Sequence, residues 1–410
     1  MLNRLRHLRA DYPRQFWLLF AGLLISTTGA SMIWPFLMIY VSERLDLPMT
    51  AVASLLTLNA ATGLLFSFIA GSVIDRFGRK WVMALSLAVN GIGFMLMSQA
   101  TTLPAFALLM ALSGAFNPLY RVGADAMMAD LIAPEKRVDA YSLLRMSNNV
   151  GVALGPAIGG VLATISYSRA FLFAAAGMIA YSLLVTIFAT ETMPVLSPAD
   201  RPEKERLGGY DRIFRDKPFI TFIASFTLTQ VCAVLMWVLM ALYAKQNYNV
   251  PESQYGFIPT TNALMVVFLQ YSVTQVTKRY AALMALGVGS LFYAVGVGSV
   301  AFSQGFGGFW LSMVVLTIGE LILNPTATTY TANLAPAEMR GRYMSLYGLT
   351  WGVAAGIGPL LGGLLSDSIG PKSIWYGGLV IGLLSAGFFF LLARRYPQPV
   401  PPAGKRVHIS

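Results

Sequence analysis

The chain predicts an all-α integral membrane protein, with twelve transmembrane helices in two pseudo-symmetric six-helix bundles. Three observations carry that prediction. Of 410 residues, 56% are hydrophobic and only 11% charged, against about 25% charged in an ordinary soluble domain; so few charges cannot cover a water-facing surface. The hydrophobic residues fall in blocks long enough to cross a hydrocarbon layer of about 30 Å, which takes roughly 20 helical residues. The chain also repeats itself. Glu135, Arg137, Ser142, Leu143, Gly155, Pro156, Gly159 and Gly160 return, 203 residues on and without a gap, as Glu338, Arg340, Ser345, Leu346, Gly358, Pro359, Gly362 and Gly363. Same-sense repeats in a membrane chain imply two halves related by an axis along the membrane normal, with a site between them.

Helices are the expected spanning element, because backbone groups in lipid must pair within their own segment; a barrel would show short alternating strands. Hydropathy places the spans at about 16–41, 51–72, 80–98, 104–127, 141–163, 169–189, 219–243, 257–275, 281–301, 307–330, 343–365 and 373–393. The first follows Arg4, Arg6, Arg9 and Arg14, but it is too long for a signal-peptide core and lacks a clear small-residue cleavage site. The one long connection, Glu191–Lys217, is rich in Pro and charge. It divides the chain into an N-terminal bundle (1–190), a linker (191–217), a C-terminal bundle (218–396) and a tail (397–410).

Charge sets the expected orientation. Of 29 Lys and Arg, 23 lie in the N-terminal tail, the even-to-odd loops and the C-terminal tail; four (Arg44, Arg169, Lys245, Lys372) lie in the opposite loops, and Arg121 and Arg145 lie within spans. This asymmetry puts both termini in the cytoplasm of a multi-pass plasma-membrane protein, the inner membrane in a bacterium. Twelve of the 18 acidic residues share that side, four oppose it and two lie within spans, so the whole net charge of +11 sits on one face. Topology explains it, and no nucleic-acid partner is needed. Cys232 lies in an apolar segment and His7 and His408 in the tails, which leaves no disulfide framework and no histidine metal or acid–base centre in the body. No cofactor is expected.

The first inner turn reads Gly71-Ser-Val-Ile-Asp75-Arg76-Phe-Gly78-Arg79-Lys80. A tight turn between helices needs the glycines, and Asp75 can face a helix N-terminus. The segment resembles the loop 2–3 signature (G-x-x-x-D-R-x-G-R-K) of the major facilitator superfamily. Span count, central connection, topology and repeat extend that resemblance over nearly the whole chain. It implies a cytoplasmic gate of Gly71, Asp75, Arg76, Gly78 and Arg79, with Arg79 latched to Asp130. The counterpart in the second half, Thr277-Lys278-Arg279-Tyr280, lacks the Asp and the glycines, so no second latch is expected.

On the fifth span, Gly151, Gly155, Pro156, Gly159 and Gly160 resemble the antiporter motif of the drug/proton branch of that superfamily. Physically, the small residues let two helices approach closely, and Pro156 weakens the local hydrogen-bond ladder to give a bend. Small-residue packing by itself would produce the same pattern.

Four ionisable residues lie within spans: Arg121, Asp125, Arg145 and Glu320. A charge at mid-bilayer costs about 2.5–3.5 kcal/mol on insertion scales, so each should face a partner or a wet cavity. Asn117, Arg121 and Asp125 form a polar stripe on the fourth span, as Glu320, Asn324 and Thr328 do on the tenth. Glu320, near mid-span with no cation at helical spacing, is the expected proton carrier, with Asp125 as a second. Equally open are an ion-pair network of Arg121, Asp125 and Arg145 clamping spans four and five, and a packing role for Glu320. The resemblance implies that spans one, four, seven and ten line the cavity. Candidate lining residues are Arg121, Arg145, Asn117, Asn149, Trp34, Met38, Thr227, Gln230, Trp237 and Asn324.

The resulting expectation is a monomeric secondary transporter that couples the proton gradient to efflux of small amphipathic or drug-like molecules by alternating access. Its partners are substrate, protons and the bilayer. The alternative is a carrier of a sugar or organic-anion metabolite, with Arg121 and Arg145 on the anionic group. An enzyme is disfavoured: the spans carry no His, no phosphate loop and no nucleophile motif.

Overall fold

The computed structural model describes residues 12–133, 136–193, 210–336 and 339–396. Glu135, Glu338, the first three arginines, most of the central connection and the tail 397–410 lie outside the described residues, as does the side chain of Arg340. The described residues form twelve long helices and no strand: α1 Arg14–Leu45, α2 Met49–Phe77, α3 Arg79–Met97, α4 Leu103–Leu131, α5 Arg137–Ile165, α6 Tyr167–Phe188, α7 Lys217–Tyr248, α8 Phe257–Thr277, α9 Ala282–Ser299, α10 Gly305–Leu334, α11 Arg340–Ser368 and α12 Ser373–Arg395.

Each predicted span falls on one of these helices. Among the described residues, eleven are both long and apolar enough to cross a membrane. The exception, α8, has 21 residues but is diluted by polar side chains such as Asn262, Gln270 and Gln275. Most helices outrun their apolar blocks, because the backbone ladder continues past the hydrocarbon until something breaks it. For α2 the break is Gly78, at φ 87°. Within α1, Pro35 lacks an N–H donor and a 3₁₀ turn forms over Trp34–Phe36, which divides that helix. Asp46 and Asn249, both left-handed, end α1 and α7.

Packing divides the chain into two compact units: Met1–Arg201 with Val250–Ala263, and Pro202–Asn249 with Leu264–Ser410. In the first unit α5 lies along α1, and the predicted small-residue face makes the seam. A Cβ on Gly151 would stand 2.9 Å from Thr27 Cβ, and one on Gly155 2.8 Å from the Thr28 carbonyl oxygen. On Gly159 it would overlap the Met32 carbonyl, and on Gly160 that of Glu252. Two polar bonds cross the same seam: Ser147 Oγ donates to the Phe20 carbonyl at 2.8 Å, and Thr27 Oγ1 to Asn148 Oδ1 at 3.2 Å.

The segment Val250–Ala263 docks on the same helix. Thr260 Oγ1 donates to the Ala153 carbonyl at 2.9 Å, and Gly256 lies against the Pro156 carbonyl. The Tyr167 hydroxyl donates to Glu252 Oε1 at 2.5 Å.

The second unit uses the repeated motif differently. Gly358 and Gly362 of α11 meet α7 mainly through side chains (Val234, Leu235 and Leu239), with the Val231 carbonyl oxygen further off, 3.6 Å from a Cβ on Gly358. Buried hydroxyls supply the fixed contacts. Thr229 Oγ1 lies 2.6 Å from Ser385 Oγ and 3.0 Å from Ser290 Oγ, and Ser385 Oγ donates to the Ser225 carbonyl at 2.7 Å, which ties α7, α9 and α12 together.

Gly159→Val is expected to cost about 1–3 kcal/mol by overpacking a backbone contact, read as a lower melting temperature in detergent. Gly358→Ala, whose Cβ would stand 3.0 Å from a Val234 methyl and not overlap a backbone carbonyl, is expected to shift it less.

Candidate functional site

The inner turn between α2 and α3 is built around an acid from a distant part of the chain. Gly78 holds a positive φ, and a Cβ there would strike the Glu191 carboxylate. Glu191 accepts the backbone N–H groups of Arg79 (3.0 Å) and Lys80 (3.1 Å). A carboxylate at that point satisfies orphan donors and the positive end of the α3 dipole. Asp75, the residue expected to face this helix end, does not cap it. Asp75 sits on the last turn of α2 with its side chain 74% exposed, 3.8 Å from Arg79. Arg79 Nε stands 3.1 Å from Asp130 Oδ2 as an ion pair without an aligned hydrogen bond. Thr192 Oγ1 donates to the same Asp130 oxygen at 3.0 Å. Arg76 turns outward over the Phe77 ring, and Gly71 has open space around it, so packing does not require a glycine there. Arg137 closes the other end of the cluster by donating to the Ala129 and Ile132 carbonyls at 2.8 and 3.1 Å.

Further into the first unit, Arg121, Asp125 and Arg145 line one cavity of about 380 Å³, together with Tyr120, Tyr141 and Asn148. The Tyr141 hydroxyl donates to the Asp125 backbone carbonyl at 3.2 Å, joining α5 to α4. Asn148 is the amide on this wall; Asn149, expected from i+4 spacing, is half-buried and does not line it. Asn117, one turn before Arg121, enters a polar chain instead. Its Nδ2 lies 3.4 Å from Ser113 Oγ, which donates to Asn90 Oδ1 at 2.9 Å. Asn90 gave no sequence signal, being a lone amide in an apolar span.

Trp34 is 45% exposed at the 3₁₀ turn, whereas Met38 is 2% exposed and packed inside, so it offers no cavity surface. In the second unit Glu320 is half-buried, and Asn324 Nδ2 lies 3.4 Å from its Oε1. Thr328 Oγ1 donates to the Asn324 carbonyl at 2.9 Å and lies 3.2 Å from the Tyr347 hydroxyl. Gln230 and Trp237 are half-buried on α7, while Thr227 bonds back to its own helix at Ile223. Among the described residues, no three His, Cys, Asp or Glu side chains gather as a metal site.

A helical pair of units with polar stripes sunk in apolar helices is the architecture of a membrane transporter. The sequence matches the family model for the Major Facilitator Superfamily over residues 19–243 and 228–409; the chain belongs to that family and is a multi-pass membrane transporter. It is 26% identical to Multidrug resistance protein 1 of Bacillus subtilis, covering 85% of this chain and 89% of the relative. It is 23% identical to a Na(+), Li(+), K(+)/H(+) antiporter of Planococcus maritimus, over 90% and 91%. A solved mutant of the nucleoside transporter NupG superposes with a TM-score of 0.80 at 13% identity, over 92% of this chain and 99% of that one. At that identity the likeness is one of fold.

Glu191→Gln is expected to cost about 1 kcal/mol through loss of the charged cap and to speed hydrogen exchange at the Arg79 and Lys80 amides. Asp75→Asn is expected to leave both the melting temperature and the exchange unchanged.

Proposed function

We propose that this transporter expels small amphipathic, drug-like molecules in exchange for protons by alternating access. The observation that carries the reading is a carboxylate held inside each of two corresponding polar stripes, Asp125 on α4 and Glu320 on α10. Retaining such a group at mid-bilayer, as for Glu320, costs about 2.5–3.5 kcal/mol, which a working proton site justifies. Glu320 loads and releases the proton, with Asn324 beside one carboxylate oxygen. Asp125, next to Arg121 and under Tyr141, is the second acid. Membrane potential supplies about 2.3 kcal/mol per charge per 100 mV, and no cofactor is called for. Relatives named as a multidrug resistance protein and a cation/proton antiporter support this direction.

In the same reading, Arg121, Arg145, Trp34, Gln230, Trp237 and Asn324 contact cargo. Gly78, Arg79, Asp130 and Glu191 form the cytoplasmic gate. The bundles 1–190 and 218–396 act as the two moving bodies of a monomer in the bacterial inner membrane, with both termini cytoplasmic, a reading that the Lys and Arg asymmetry supports. A second reading, export or import of an organic anion, is favoured by one feature: the first-unit cavity has two guanidinium groups to one carboxylate.

Reconstituted into liposomes with an imposed pH gradient, Glu320→Gln is expected to abolish gradient-driven transport while eluting and melting like the parent. Undiminished coupling in that variant overturns the role of Glu320. Asp125→Asn is expected to weaken coupling. Competition between a lipophilic cation and an aromatic carboxylate separates the two cargo classes: loss of carboxylate transport alone in Arg145→Gln selects the organic-anion reading.

A further inference from the structure

The second unit contains an inverted counterpart of the first unit's ion-pair cluster. Buried positions recur 203 residues apart, as at Met83 and Leu286, Asn90 and Tyr293, and Phe106 and Phe309. On that correspondence Asp75, Gly78, Arg79 and Asp130 become Lys278, Ala281, Ala282 and Asn333, and Glu191 becomes Arg394. Each of the three acids is replaced by an amide or a cation, and the central arginine by a methyl group.

The steric result is an open cavity of about 380 Å³, lined by Thr277, Lys278, Ala281, Ala282, Tyr330 and Asn333. A neighbouring cavity of about 320 Å³ shares Ala281 and reaches Arg394. The first unit shows what chemistry suits this place, since there Glu191 sets a carboxylate on the Arg79 and Lys80 amides. At the start of α9 the residue in the capping position is Ala281, which has no side chain able to do this.

We propose that these two adjoining cavities bind a phosphate-type anion, with Lys278 and the Asn333 amide as donors in the first and Arg394 in the second. Lys and Arg offer only donors, and several converging on one group match an oxyanion with acceptors on every side. Lys278 follows the end of α8 and lines the first cavity, and Arg394 near the end of α12 lines the second; basic residues beside apolar helices are the means by which proteins hold anionic headgroups. Phe268, Tyr271 and Val276 are exposed on α8, the helix whose Thr274 and Thr277 line the cavity, and offer apolar surface to acyl chains. A lipid headgroup and a free phosphate share the chemistry at the cavity itself.

The test uses the delipidated full chain in detergent. Native mass spectrometry measures retention of phosphatidylglycerol and of phosphatidylcholine, and thermal shift measures the response to inorganic phosphate. Lys278→Gln and Arg394→Gln are each expected to weaken anion binding about fivefold, and Lys278→Arg to restore it. Asn333→Asp, which reinstates the first unit's carboxylate beside Lys278, is expected to abolish binding without lowering the melting temperature. Lys278-dependent retention of phosphatidylglycerol identifies a lipid headgroup; a Lys278-dependent response to inorganic phosphate alone identifies a soluble anion. Binding that is indifferent to Lys278 and Arg394, or phosphatidylcholine retained as well as phosphatidylglycerol with no response to inorganic phosphate, overturns the proposal.

Discussion

Inside hydrocarbon, a backbone group or a charge has no water to turn to, and this constraint governs most of the molecule. Helices answer it for the backbone. Short polar side chains answer it for themselves by bonding one turn back, as Thr28 does to Leu24, Ser67 to Gly63 and Thr317 to Met313. Carboxylates and guanidinium groups cannot be satisfied this way and stand out. Arg121, Asp125 and Arg145 share one cavity, and Glu320 has an amide beside it.

The same solvent removes the hydrophobic drive that would otherwise press helix against helix, so contact must come from close fit or from polar bonds. The two halves solve this differently with one inherited motif. In the first, Gly155 and Gly159 bring α5 onto the α1 backbone. In the second, the equivalent glycines meet α7 mainly through its side chains, and buried serine and threonine hydroxyls add polar ties. Placement of Val250–Ala263 with the first unit adds a further load to the α5 seam, through Thr260, Gly256 and Glu252.

The halves diverge most where the charges are. Glu191 fastens the chain leaving α6 to the start of α3, and its neighbour Thr192 extends the tie to Asp130 at the end of α4. Arg79 thus works among three acids, which a basic loop at a membrane surface would not require for topology alone. In the second half the matching positions are cationic or neutral, and the space that Arg79 fills is open. Duplicated architecture has therefore kept its helices while exchanging the sign of its surface chemistry.

The number of helices, their order and their approximate ends were all legible in the sequence, because hydropathy is local and bilayer thickness sets one length for every span. The glycine face on α5 and the pairing of Arg79 with Asp130 were also legible, the first from periodicity and the second from family resemblance. Only the tertiary structure decided that Glu191 caps α3 in place of Asp75, that Asn148 faces the cavity in place of Asn149, and that Met38 is sealed inside. These outcomes depend on the angle at which one helix meets another, and on partners as far apart as Arg79 and Glu191, 112 residues along the chain. A linear pattern records which face of a helix is apolar or small; it does not record which distant group will arrive at that face.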